Sequence, residues 1–374
     1  MSNNHSRRNF LQKLSGGLGV TIASLAITDA LAMPAVKHPK DGKKLGVALV
    51  GLGSYAKNQL AVALEKTSNC YLAAIVTGTP AKADEWSKKY NLDKKNIYNY
   101  QNFDEIAKNK SIDIVYVVLP NSMHKEFVIR AAKAGKHVMC EKPMSVSVKD
   151  AEDMIKACQD ANVQLGIGYR LHFEPFTKEV MRLSQQKVIG DVKFIQTNFG
   201  FTIGDPAQWR LKKAMAGGGP LMDVGIYCVQ ASRYVTGEEP TSVTAQYGPV
   251  TDKTVFKEVE QSISWQLEFP SGVTTNGFSS YRTNIEQLYV SATKGWIQMS
   301  PAYSYGPIKG ATNQGTMNMP IVHHQTVMME EVCKSFIDSG KFPVHMTGPE
   351  GLRDMKILMC IYEAAETGKK ISLV

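Results

Sequence analysis

The residues Leu45-Gly-Val-Ala-Leu-Val50 form an unbroken run of apolar and small side chains, the pattern of a parallel strand buried on both faces. Gly51-Leu-Gly-Ser-Tyr-Ala56 then turns into helical spacing that runs through Glu65. Further strands are predicted at Tyr71–Val76, Ile112–Leu119, His137–Cys140 and near Gln164–Gly168, with helical stretches around Ala81–Tyr90 and Lys125–Ala134 between them. This alternation predicts an α/β Rossmann domain, a doubly wound parallel sheet, over residues 45–168. The pattern then changes. Strand-like runs at Val192–Phe199, Val243–Tyr247, Ser262–Phe269, Val273–Ser279 and Leu288–Ala292 follow with few helices between them, which predicts an α+β domain over 169–374 with a large open, mostly antiparallel sheet. Helical segments at Leu221–Val235, His324–Ser339 and Pro349–Thr367 are expected to cover one face of that sheet.

The first 44 residues do not belong to this alternation. Residues 1–32 have the three parts of an export signal: a basic start, a weakly apolar stretch from Leu14 to Ile27, and Ala30-Leu31-Ala32 suited to cleavage. The basic part, Ser6-Arg7-Arg8-Asn9-Phe10-Leu11, resembles a twin-arginine signal, read by the machinery that exports folded proteins, and implies a periplasmic location. Residues 33–44 are polar and aperiodic, as in a linker or arm. Beyond the leader no apolar run approaches a membrane span. The formal charge of +9 is spread along the chain and no nucleic-acid motif accompanies it, so it reads as solvated surface. Cys70, Cys140, Cys158, Cys228, Cys333 and Cys360 show no metal spacing and read as buried thiols.

Candidate chemistry begins at Gly51-x-Gly53-x-x-Ala56, between strand and helix, where bare backbone can approach a pyrophosphate and the helix amino end favours its charge. Ser54 and Tyr55 belong to the same turn. A domain that prefers NAD commonly ends its second strand with an acid for the ribose hydroxyls, but here the strand ends Val76-Thr77-Gly78-Thr79-Pro80-Ala81-Lys82. Thr77 can donate to a 2′-phosphate and Lys82 can neutralise it, so NADP is the expected cofactor.

Cys140-Glu141-Lys142-Pro143 closes the fourth strand, at the sheet edge where open α/β folds bind ligands. Gly217-Gly-Gly-Pro-Leu-Met-Asp223-Val-Gly-Ile-Tyr227 sets a glycine-rich loop before a helix carrying an acid and a phenol four residues apart, on one face. With Leu119-Pro-Asn-Ser-Met-His124, Gly168-Tyr-Arg170, Asp205-Pro-Ala-Gln-Trp-Arg210 and Arg233-Tyr234 leading to Gly237-Glu-Glu-Pro240, these segments resemble the Gfo/Idh/MocA oxidoreductases over nearly the whole chain. Within that family the likeness points to the glucose-fructose oxidoreductase subgroup, in part because Tyr227 stands where many relatives have histidine. The arm over 33–44 looks shorter than the one associated with cofactor retention in that subgroup.

The resemblance implies that Gly51, Gly53, Ser54, Tyr55, Thr77, Lys82, Leu119, Pro120, Asn121, His124, Glu141, Lys142 and Arg170 face the cofactor. It implies that Lys142, Trp209, Arg210, Asp223 and Tyr227 face a sugar. Oxidising a sugar hydroxyl needs a base, and reducing a carbonyl needs the same group as an acid. Tyr227 is the candidate, with Lys142 and Asp223 completing the catalytic set. A phenol of ordinary pKa about 10 becomes a good base at neutral pH only after a drop of roughly 3 units, and a lysine charge beside it favours that. His323-His324 does not make a metal pair, because adjacent side chains diverge, and no metal site is expected. The expected activity is ping-pong hydride exchange between small sugars or polyols on bound NADP, in a homo-oligomer joined through the open sheet. An NAD-dependent glycosidase and a non-catalytic sugar-binding protein are the rival readings. Release of nitrophenol from an aryl glycoside marks the first, and loss of Lys142, Asp223 and Tyr227 would have marked the second.

Overall fold

The computed structural model describes residues 44–373, so the leader and all of the arm but Lys44 lie outside the described residues. Strands β1 (Leu45–Val50), β2 (Cys70–Val76), β3 (Ile97–Tyr98), β4 (Ile114–Val117), β5 (His137–Cys140) and β6 (Leu165–Ile167) form one parallel sheet in the order β3-β2-β1-β4-β5-β6. Every residue of β1 is buried, because helices cover both faces of the sheet. The order reverses between β1 and β4, which opens a crevice at the strand carboxyl ends.

The helices of this half are α1 (Ala61–Lys66), α2 (Pro80–Tyr90), α3 (Asn121–Lys133) and α4 (Val148–Asp160). A π turn at Ala56–Leu60 leads into α1. Helix α4 and the next helix, α5 (Pro175–Gln185), were not read from the sequence, although their starts carry caps. The Ser147 hydroxyl accepts the Asp150 N–H at 3.1 Å, and the Glu174 carboxylate accepts the Thr177 N–H at 2.7 Å ahead of Pro175.

The second sheet contains β7 (Val192–Gly200), β8 (Ser242–Tyr247), β9 (Ser262–Glu268), β10 (Thr274–Ser280), β11 (Ile285–Ala292), β12 (Gly295–Met299), β13 (Gly310–Thr312), β14 (Gly315–Thr316) and β15 (Ile371–Ser372). Their order is β14-β13-β12-β11-β7-β10-β9-β8-β15, and β7 with β10 is the parallel pair in an otherwise antiparallel sheet. Helices α6 (Lys213–Ala216), α7 (Ile226–Thr236), α8 (His324–Ser339) and α9 (Gly348–Thr367) complete the chain.

Only part of the expected helix cover holds. Helix α7 packs on β7, β10 and β11, and α9 packs on β8, but α9 also lies against α4 and β6. Helix α8 packs on α1 and β2 of the Rossmann sheet. Its buried Met328, Met329, Val332, Cys333 and Phe336 complete that core, and the Phe336 ring lies 4.3 Å from the His137 ring. Helical periodicity marks an apolar face but not the surface it meets. One apolar core therefore runs through both sheets, with a smaller cluster of Ile203, Leu211, Phe256, Val259 and Tyr281 under the segment that carries Trp209 and Arg210. Among the described residues no helix is long and apolar enough to cross a membrane. All six cysteines are free thiols, five of them buried.

Candidate active site

A cleft of about 390 Å³ opens at the strand carboxyl ends of the parallel sheet. Gly51, Gly53, Ser54 and Tyr55 line it from the first turn, and Thr77 and Lys82 from the end of β2 and the start of α2. Leu119, Pro120 and Asn121 line it after β4, and Glu141 and Lys142 after β5. Trp209, Arg210, Asp223 and Tyr227 reach it from the second half of the chain.

The first turn fits a dinucleotide. Gly51 has φ +94°, and a Cβ there would meet the Val118 carbonyl oxygen at 2.5 Å. A Cβ on Gly53 would meet nothing within 4 Å, so this glycine presents bare backbone to open space, as a phosphate cradle requires. At the end of β2 the buried Thr77 hydroxyl oxygen accepts the Thr79 N–H at 3.2 Å. The wall there consists of Thr77, Thr79, Lys82 and Tyr100 and carries no carboxylate, whereas Glu141 and Asp223 stand farther along the cleft. Glu141 accepts the Tyr116 hydroxyl at 2.6 Å; burial pushes its carboxyl up, against the pull of Tyr116 and Lys142.

The catalytic candidates meet although Lys142 and Asp223 are 81 residues apart in the chain. The Lys142 ammonium donates to the Asp223 main-chain oxygen at 2.5 Å, lies 3.7 Å from Asp223 Oδ1, and sits 4.6 Å from the Tyr227 ring centre. Asp223 Oδ2 accepts Arg210 Nε at 3.0 Å and the Tyr281 hydroxyl at 3.1 Å. Burial works to raise the Asp223 carboxyl, but Arg210 and Lys142 outweigh it and hold the group below its ordinary range. Asp223 is therefore a fixed anion that clamps the two cations. A π turn at Leu221–Gly225 precedes α7, so Asp223 and Tyr227 share the cleft wall through an irregular stretch of helix.

Two expected cofactor contacts lie behind the wall. His124 is wholly buried, with Nδ1 3.0 Å from the Pro143 oxygen and Nε2 2.8 Å from the Leu119 oxygen, so it braces the loops after β4 and β5. Arg170 is also buried. It donates to the Tyr303 and Ser304 carbonyl oxygens and, at 2.7 Å, to His324 Nδ1, while its guanidinium lies 5.0 Å from the Tyr227 ring centre. Burial, and then Arg170, push the His324 imidazole down to about 3, which suits its role as acceptor. Tyr227 thus has two cations near its ring, Lys142 from the cleft and Arg170 from the core.

Residues 45–169 match the oxidoreductase family with an NAD-binding Rossmann fold, and residues 177–298 match the GFO/IDH/MocA C-terminal domain. The chain belongs to the Gfo/Idh/MocA family. Among proteins of known activity, it is 28% identical over 336 residues to the D-xylose 1-dehydrogenase [NADP(+)] of Haloarcula marismortui, covering 87% of this chain and 92% of that one. It is 32% identical to the D-xylose 1-dehydrogenase (NADP(+)) 2 of Haloferax volcanii, over 73% of this chain and 84% of the relative. Among solved structures, the aldose-aldose oxidoreductase of Caulobacter crescentus, complexed with glycerol, superposes with a TM-score of 0.85 at 41% identity, over 88% of this chain and 100% of that one.

Several residues of this Gfo/Idh/MocA site were not read from the sequence: Thr79, Tyr100, Tyr281 and Tyr305. Tyr100 follows the two-residue strand β3, and Tyr305 lies between β12 and β13 with its ring 6.0 Å from that of Tyr55. No motif marks them. Among the described residues no three His, Cys, Asp or Glu side chains are grouped to hold a metal.

Proposed function

We propose that this protein is an exported sugar oxidoreductase that holds NADP and works by ping-pong exchange, with one aldose oxidised to its lactone and a second carbonyl sugar reduced to its polyol. The observation that carries this reading is the Lys142–Asp223–Tyr227 cluster on the wall of a cleft whose other end fits a dinucleotide. A nicotinamide bound there supplies hydride transfer, first away from and then towards a sugar carbon. Tyr227 takes the hydroxyl proton in the first half and returns it to the carbonyl oxygen in the second. Lys142, fixed by Asp223, places a positive charge where oxygen gains negative charge in either direction. Trp209 and Arg210 both line the cleft, with the Arg210 guanidinium 4.7 Å from the Trp209 ring centre, so the pair offers an aromatic wall with a cation already over its ring and donors beside Asp223. Thr77 and Lys82 at the ribose end, with no acid lining the cleft beside them, favour a 2′-phosphate over a free hydroxyl. The likeness to an aldose-aldose oxidoreductase supports an aldose as the second substrate as well.

Denaturing the purified protein should release NADP(H), and incubation with an aldose alone, without added nucleotide, should give lactone and alditol in equal amounts. Release of NAD alone would overturn the cofactor assignment, and oxidation only with excess free nucleotide would overturn the exchange. The periplasmic assignment rests on Arg7-Arg8 and the apolar stretch behind them. Replacing both arginines with lysine should leave precursor in the cytoplasm. Undiminished export would remove the twin-arginine route.

A further inference from the structure

On the side of the glycine loop away from the cleft lies a carboxylate that the chemistry above does not use. Glu260, two residues before β9, accepts the Gly219 N–H on Oε2 at 2.9 Å and the Leu221 N–H on Oε1 at 3.1 Å. The Tyr362 hydroxyl of α9 donates to the same Oε1 at 2.8 Å. Gly219 and Leu221 open the helical stretch that carries Asp223 and Tyr227, where N–H groups have no acceptor within the helix. A carboxylate meets that need and complements the positive helix end. Glu260 lines a separate groove with Gly217, Gly218 and Tyr362 and does not line the cleft, so it does not touch a sugar or nucleotide held there.

We propose that Glu260 is the positioning residue of this site: by holding Gly219 and Leu221 it sets the start of the catalytic helix, so that Asp223 meets Lys142 and Tyr227 faces the cleft. The activity consequence rests on the sugar-oxidoreductase reading, whereas the clamp does not. Two donors converge on one carboxylate from the main chain, and Glu260→Gln keeps the shape but leaves one acceptor oxygen. Its NH₂ then confronts one of the two backbone N–H groups, and the loop must shift. Displacement of a reacting group by about 1 Å can cost up to 10²-fold in rate.

The test is full-length Glu260→Gln, with kinetics on an aldose, assay of bound nucleotide, and amide hydrogen exchange at residues 217–225. The proposal expects kcat lower by about 10- to 100-fold, KM changed far less because Trp209, which Asp223 does not hold, still lines the cleft, and unchanged nucleotide content. Exchange at Gly219 and Leu221 should be faster by about tenfold or more. Gly219→Ala gives a second route to the same displacement, because its Cβ would meet the Glu260 carbonyl oxygen at 2.6 Å and Oε2 at 3.0 Å. It should show the same fall in kcat, and it decides the matter if Glu260→Gln does not fold. Tyr362→Phe removes only the third donor and should stay within about threefold of wild type. A kcat near wild type in Gly219→Ala or in folded Glu260→Gln, or a rise in KM alone, overturns the proposal. Unchanged exchange overturns it even if the wild-type protein proves inactive on every sugar, a result that would separately refute the functional reading.

Discussion

Tyr227→Phe should bind nucleotide normally and fail at chemistry in both directions. The substitution keeps the ring, whose neighbours are Phe199 at 5.7 Å, Tyr303 at 6.4 Å and the Lys142 ammonium at 4.6 Å, so packing and fold should survive. Only the hydroxyl is lost. Removal of a positioned acid/base costs about 10² to 10⁴ in rate, and one group serving both halves should produce the deficit in each. Single-turnover absorbance of the reduced nicotinamide, with an aldose and then with a carbonyl acceptor, reads the two halves separately. A near-normal rate in either direction would take the proton-transfer role from Tyr227. His124 would not be the substitute, because it is buried behind the wall with both ring nitrogens against carbonyl oxygens.

Arg233→Met should cost about 3–5 kcal/mol of stability, the range for breaking a buried ion pair by removing one partner. Arg233, on α7, reaches Asp354 Oδ1 and Glu350 Oε1 of α9 at 2.7 Å each and the Glu239 carboxylate at 2.6 Å. Asp354 is 0% exposed and also accepts Gln230 Nε2 at 2.8 Å. Methionine fills the space but leaves two buried carboxyls facing one another. Burial already raises both groups above their ordinary range, and Arg233 pulls them down. Without the guanidinium they rise further, so the folded variant binds protons that the unfolded chain does not, and its stability climbs as pH falls towards about 4. Urea denaturation should therefore show the largest deficit near pH 8 and a smaller one near pH 5. A deficit under about 1 kcal/mol, or one independent of pH, would mean that α7 and α9 are held together by apolar packing alone.

The first half of the fold was legible because a buried parallel strand writes itself as an apolar run: the expected bounds of β1 and β5 coincide with the observed ones. The second half was legible where alternation was long, as in β7 and β9, and not in β3, β14 and β15, whose two residues each are too few to show a period. Glycine turns and the acid–phenol spacing brought most of the cleft's lining into view. Two candidates differ from the rest in the direction their side chains take. Arg170 and His124 have the chemistry of ligand contacts; His124 turns to main-chain carbonyls, while Arg170 bonds two carbonyls and His324 and reaches the cleft only through the Tyr227 and Tyr305 rings, and no local pattern distinguishes these cases. Glu260 and Tyr281 were missed for the opposite reason: they act on the site across the fold, from strand ends with no motif of their own.

The packing of α8 and α9 on the parallel sheet has a consequence for the order of events at the ribosome. Helix α8 covers β2 and α1, and α9 covers β6 and α4, with a further bridge between Gly166 and Thr347. About 200 residues separate Ile167, where β6 ends, from Thr367, where α9 ends. At typical synthesis speeds this is roughly 10–40 s during which the nucleotide domain exists without its outer flank. The part translated first is therefore sealed last. Loss of the final helix would be felt at β6 and α4, so a defect at the carboxyl end of the chain would present as loosened packing in the domain at the other.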